Sequence, residues 1–156
     1  MYIYESLLSQ TFVLNEQIAR QLFEVLPEQG PVILIMDRNG NTWPSDSEEF
    51  SKLNISESYL KELRAKIDDG VEPVITYTNE CSIIASQLAT ERSNCGYVII
   101  ALSQYSPEST LINITLIEIL LNQFNLIAKL LEKNNRLYEA QTPNYRERIQ
   151  SEVTLN

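Results

Sequence analysis

The sequence predicts an α+β fold: one antiparallel sheet of about five strands flanked by helices, in the order α–ββ–α–βββ–α. Three observations lead there. Apolar residues recur at helical spacing in three stretches, around residues 5–26, 55–67 and 106–140. Short runs rich in Val, Ile and Tyr stand between them. The links between those runs are only a few residues long, which favours antiparallel neighbours over crossovers.

The first helix is expected over Glu5 to Leu26, with Leu7, Leu14, Ile18, Leu22 and Leu26 in one stripe and Pro27 and Gly30 ending it. Pro31 to Met36 reads as a buried strand. Asn39-Gly40 suits a tight turn with positive φ at both central positions, so Asn41 to Trp43 is expected to return as a second strand. Pro44 to Lys52 is polar and reads as a loop. Asn54-Ile-Ser-Glu57 resembles a capping box, starting a helix at Ile55 that buries Leu60, Leu63 and Ile67 and stops at Gly70. Three strands follow: Glu72 to Tyr77, Cys81 to Leu88 across a Thr78–Glu80 turn, and Gly96 to Leu102. The last is the most apolar, hence central. A single domain over 1–140 and a loose polar tail over 141–156 complete the expected layout.

With 156 residues and 44% apolar content the chain can bury a real core. Its net charge of −9 opposes nonspecific binding to nucleic acid and to anionic membrane surfaces. The N-terminus lacks the basic start and apolar run of a signal peptide, and the greasiest window, Leu111 to Leu131, is interrupted by Asn113, Glu118, Asn122, Gln123, Asn125 and Lys129. A reduced, cytoplasmic setting with Cys81 and Cys95 as free thiols is the simplest expectation. The chain has no histidine. That removes Ser–His and Cys–His catalysis and the usual zinc and haem ligands, so no enzyme, cofactor or metal is expected.

The segment Ser106 to Ala140 has more apolar surface than one sheet needs. Ser106 suits an N-cap, Pro107 the first turn and Glu108 the positive end of the helix dipole. At 100° per residue, Ile117, Leu120, Phe124, Ile127 and Leu131 form one line; Leu116, Ile119, Leu126 and Leu130 form the next. Thr115, Glu118, Asn122, Asn125 and Lys129 make a polar wedge. The expectation is a homodimer whose interface is the line Ile117, Leu120, Phe124, Ile127 and Leu131, continuing as a heptad to Tyr138. The competing reading is a helix sandwiched within one monomer.

A glycine opening a greasy strand (Gly96-Tyr-Val-Ile-Ile-Ala-Leu102), then Ser103, then Ser106-Pro107, then a long helix with Leu116, Ile117, Leu120, Leu121, Ile127 and Ala128, resembles the end of a GAF domain. Gly70-Val-Glu-Pro-Val-Ile75 resembles the family's passage from helix to strand, and the element order agrees from Leu7 to Glu139. Roadblock-like and PAS-like domains share similar sheets. The resemblance implies a GAF/PAS-like sandwich acting as a dimeric signalling or sensor module, with a small ligand or a protein partner and a pocket on the sheet face away from the terminal helices. The Asn-Lys-Phe-Asp-Glu set of cyclic-nucleotide binders is missing, as are a bilin Cys-His pair, a haem-ligating histidine and the cysteine context of GAF-type methionine sulfoxide reductases. The alternative is a roadblock-like structural adaptor that binds protein without a pocket.

Candidate ligand residues are Trp43, Tyr77 and Arg92: an aromatic face to stack on a ligand, a strand tyrosine, and a guanidinium for an anionic group. For Trp43 the ordinary alternative is closing a sheet edge; for Arg92 it is a solvated loop position. Cys81 and Cys95 read as structural, and as a redox pair only if close in space. Asp37, Asp46, Glu48 and Glu49 lack EF-hand spacing and read as loop carboxylates.

Overall fold

The computed structural model describes residues 13–24, 26, 30–90, 94–103 and 106–155, the stretch beyond residue 134 by its backbone. The elements are α1 (Glu16–Phe23), β1 (Val32–Asp37), β2 (Thr42–Pro44), α2 (Ser47–Lys52), α3 (Glu57–Asp68), β3 (Val74–Thr78), β4 (Cys81–Ala89), β5 (Asn94–Leu102), α4 (Pro107–Ile112) and α5 (Ile114–Leu155). The five strands form one sheet in the order β2-β1-β5-β4-β3, every pair antiparallel. The expected α+β architecture is therefore present, with β5 in the middle.

Helices cover both faces, so β4 and β5 are buried almost without alternation. On one face Ile33, Ile35, Ile84, Leu88, Val98 and Ile100 meet Leu14 and, from α1, Ile18 and Leu22, together with Ile117, Leu121, Phe124 and Ala128 of α5. On the other, Leu34, Met36, Ile83, Ala85, Tyr97 and Ile99 meet Leu60, Leu63 and Ile67 of α3. Gly96 holds β5 close to its neighbour: a Cβ there would lie 2.2 Å from the Met36 carbonyl oxygen and 2.6 Å from Leu14 Cδ1. No larger residue fits without moving backbone.

Several local expectations are corrected. The first helix does not run through residues 13–15; Asn15 is extended and its Oδ1 accepts from Ile18 N at 2.9 Å, starting α1 afresh. The stripe before residue 13 lies outside the described residues. The β1–β2 turn has positive φ at Gly40 alone, because Asp37 Oδ1 holds the Asn39 and Asn41 amides at 2.9 and 2.8 Å and sets a three-residue loop. The expected loop over Pro44–Lys52 contains α2, capped by Asp46 through Glu48 N and Glu49 N. Ser56, rather than Asn54, caps α3, and Asn54 is left-handed with φ 53°. The turn into β4 places both Asn79 and Glu80 at positive φ, 50° and 61°.

The closing helix is interrupted at Asn113, where φ is −98° and ψ 12° and the side-chain amide donates to the Ser109 carbonyl at 2.8 Å. Beyond the break, α5 continues to Leu155. The tail over 141–156 was expected to be loose; it is helical through Leu155. Residues 144–155 include the good helix formers Arg146, Glu147, Arg148, Gln150 and Glu152, and Pro143 costs the backbone bonding of one turn only.

Candidate functional site

Two of the three expected ligand residues, Trp43 and Tyr77, are not brought together. Trp43 pairs with Ile35 on β2, and Tyr77 pairs with Ser82 on β3. These are the two opposite edges of the sheet, about 19 Å apart across four strand spacings. Arg92 lies outside the described residues. Both aromatic residues also sit on the α5 side: Trp43 packs on the cluster that contains Ile35, and Tyr77 shares its face with Ile75, which pairs with Ile84 of the same cluster.

The pocket was expected on the opposite, α3 side. There the space between α3 and the sheet is taken by Leu34, Leu63, Ile83, Ile99 and Tyr97, each no more than 1% exposed. The Tyr97 hydroxyl donates to Asp68 Oδ1 at 2.7 Å, and burial with that carboxylate pushes the phenol up to about 12. Tyr59 and Thr76 hydroxyls share a hydrogen bond at the same layer. Large branched side chains from both elements interdigitate, which sequence periodicity cannot distinguish from a hollow.

Two shallow clefts lie on the α5 side instead. One, of about 410 Å³, runs between α1 and the short edge strand β2, with Phe23, Trp43 and Pro44 as walls and the Glu16–Arg20 ion pair (2.7 Å) at its mouth. The other, of about 280 Å³, lies between β4 and α5 and is lined by Glu72, Ser86, Glu118, Leu121, Asn122 and Asn125. Glu72, Ser86 and Asn125 have structural tasks there. Glu72 Oε1 accepts from Ser86 Oγ and Gln87 N, both at 2.6 Å. Asn125 Oδ1 accepts from Ala89 N at 3.0 Å, pinning α5 to the end of β4. In the sequence Asn125 belongs to the polar wedge of this helix, and a polar residue flanked by apolar lines is the only signal of this role.

The cysteines sit on opposite faces, Cys81 with the α3 cluster and Cys95 with the α5 cluster. They cannot form a redox pair without unfolding. Burial raises both thiols, Cys95 to about 12, so neither is a thiolate near neutral pH. Asp37 braces its turn and Asp46 caps α2, and no metal-holding cluster occurs among the described residues.

The most distinctive surface is on α5. The line expected to be the dimer interface faces the chain's own sheet: Ile117 and Phe124 are buried there at 7% and 0% exposure, with Leu120, Ile127 and Leu131 half-buried against the same cluster. The sheet takes this line because Phe124 fills the space between strands while Ala128, one turn on, lets the helix approach. The neighbouring line is left outside. Leu116, Ile119, Leu126 and Leu130 are 65%, 49%, 56% and 56% exposed, and Ile112 stands before the break at 82%. Their steps of 4, 3, 7 and 4 residues are those of a heptad seam, with Gln123 filling the middle layer. Ile114–Asn134 is also long and apolar enough to cross a bilayer, at mean hydropathy 1.5. Its inner line is locked into the sheet, however, and Glu118, Lys129, Glu132 and Lys133 fall within that stretch.

No protein-family model and no curated protein matches the chain. Among solved structures, it is similar to the GAF domain/HD domain protein from Geobacter sulfurreducens at 12% identity and a TM-score of 0.43, over 85% of this chain and 97% of that one.

Proposed function

We propose that this chain is a non-enzymatic, cytoplasmic regulatory module of GAF-like type that works as a homodimer paired through α5. The observation that carries the reading is the exposed row Leu116, Ile119, Leu126 and Leu130, lying beside an inner row already satisfied by the chain's own sheet. Fully burying a large apolar side chain stabilises by about 1.5–3 kcal/mol. Four half-exposed side chains from each of two copies therefore contribute on the order of 6–12 kcal/mol. Association costs about 4–15 kcal/mol, so the pairing is reversible rather than permanent, as suits a regulated contact. The non-enzymatic reading is supported by the lack of histidine and by two thiols held protonated.

Sedimentation velocity across a micromolar concentration series tests this. The wild-type chain is expected to shift from monomer to dimer, and Leu126→Glu to remain monomeric, with the wild-type melting midpoint at dilutions where both are monomers. A wild-type monomer throughout the series removes the proposal.

The adaptor reading keeps one observation in its favour: the α3 side of the sheet is filled. A thermal-shift screen with small metabolites separates the two, since a ligand that binds the native state raises the midpoint by mass action. A sensor yields at least one concentration-dependent shift, whereas an adaptor yields none.

A further inference from the structure

The exposed row is not uniformly apolar, and its one interruption carries information. Leu116, Gln123 and Leu130 occupy successive layers seven residues apart; Ile119 and Leu126 occupy the alternating layers between them. Gln123 is exposed and stands at the centre, with two apolar layers on either side. A surface meant only for solvent needs no apolar layers around it, and one meant for a lipid or a greasy groove gains nothing from a carboxamide in its middle.

We infer that Gln123 sets the orientation of the pair: two copies of α5 run parallel and in register, with Gln123 facing Gln123. The inference rests on the homodimer reading above. In a parallel, in-register pair every layer meets its own copy. The two carboxamides then meet each other, and each offers both a donor and an acceptor, so they satisfy one another. In an antiparallel pair the layers of the Leu116–Gln123–Leu130 set face those of the Ile119–Leu126 set. Gln123 then lies against Ile119 or Leu126 in both copies, and two amides are buried without partners. Sliding a parallel pair by one heptad sets Gln123 against Leu116 or Leu130, with the same loss. A single polar layer in an otherwise apolar seam is an effective device for fixing register and orientation.

The flanks agree with this arrangement. Leu120 and Ile127, on one side of the row, are engaged with the chain's own sheet and do not ask for a second partner. On the other side, Thr115, Asn122 and Lys129 carry a single charge. In the parallel pair Lys129 falls beside Asn134 of the second copy, and like charges meet only past the end of the apolar row, where Lys133 follows Leu130 by three residues. The consequence is directional. Both sheets lie at the same end of the pair and both α5 helices leave it side by side, so a change at either sheet acts on one shared rod.

Cysteine cross-linking of the full chain tests the inference, because the native thiols are buried and protonated. Leu130→Cys, oxidised at a concentration where sedimentation shows a dimer, is expected to cross-link to itself. In an antiparallel pair its own copy would lie about 15 Å or more away along the axis. A mixture of Leu130→Cys with Ile119→Cys reads the antiparallel alignment that sets Gln123 against Leu126, a mixture of Leu126→Cys with Leu116→Cys reads the one that sets it against Ile119, and both are expected to give no mixed product. Adding Gln123→Leu to Leu130→Cys is expected to lower the self-linked fraction by roughly twofold or more as other registers become open. A mixed product without self-linking overturns the orientation and leaves the dimer standing. Unchanged self-linking in the Gln123→Leu background overturns the role of Gln123. A monomer by mass removes both this inference and the reading beneath it.

Discussion

Phe124 and Leu126 lie two positions apart on α5, yet Phe124 is fully buried against the sheet and Leu126 is more than half exposed on the far side. Two residues are 200° of helix, so the pair marks the two apolar faces of one rod. The inner face belongs to the fold and the outer one is free to act.

Truncating each residue should therefore have separate effects. Phe124→Ala removes a ring from the cluster of Ile35, Ile84 and Val98 and is expected to cost about 3–5 kcal/mol in chemical denaturation. Leu126→Ala is expected to stay within about 0.5 kcal/mol at concentrations where the chain is monomeric. Equal losses would mean that the two faces are not distinct.

Gly96→Ala tests the close approach of β5 to β1. Its added methyl would sit 2.2 Å from the Met36 carbonyl oxygen. Backbone must move to admit it, with an expected loss of about 1–3 kcal/mol in the same assay. Gly70→Ala meets no neighbouring atom; its cost comes from a φ of +93° alone, so it serves as the purely conformational comparison.

Asn125→Ala leaves the Ala89 amide without its acceptor, at an expected cost of about 1–3 kcal/mol. Hydrogen exchange at the Ala89 amide is expected to speed up first, and more than at the β5 amides. An unaltered rate there would show that Asn125 does not anchor the helix.

Stability should fall in alkali for a specific reason. Burial raises Cys95 from 9.0 to about 12, so the folded chain holds a proton that the unfolded chain releases. The associated stability is fully present below about pH 9 and is lost as pH climbs toward 12. Tyr97, raised from 10.0 to about 12, acts in the same direction. Denaturation midpoints at pH 8 and pH 10.5 should differ less for Cys95→Ala than for the wild type. A maleimide should fail to label the native protein at neutral pH.

The sheet was legible in the sequence because its strands are short β-branched runs between turn residues, and Asn39-Gly40, Gly70 and Ser106-Pro107 mark boundaries with specific backbone requirements. What was missed lies where side chains compete locally for backbone groups. Asp46 and Ser56 start helices by capping amides, and Asn15 starts one inside an apolar stripe that periodicity alone would carry straight through. The choice between two neighbouring apolar lines on α5 was also out of reach. Both have helical spacing, and only the fit of Phe124 and Ala128 onto the strands decides which one turns inward. Trp43 and Tyr77 stand apart for a related reason: both are edge-strand aromatics, and strand order, which sets the edges apart, is not written in local pattern.

The most direct test is the mass of the unmodified chain in solution at several tens of micromolar. Light scattering is predicted to report a particle near twice 17.9 kDa that dissociates on dilution. A particle of 17.9 kDa at every concentration would contradict the account, leaving the outer face of α5 without a second copy to cover it.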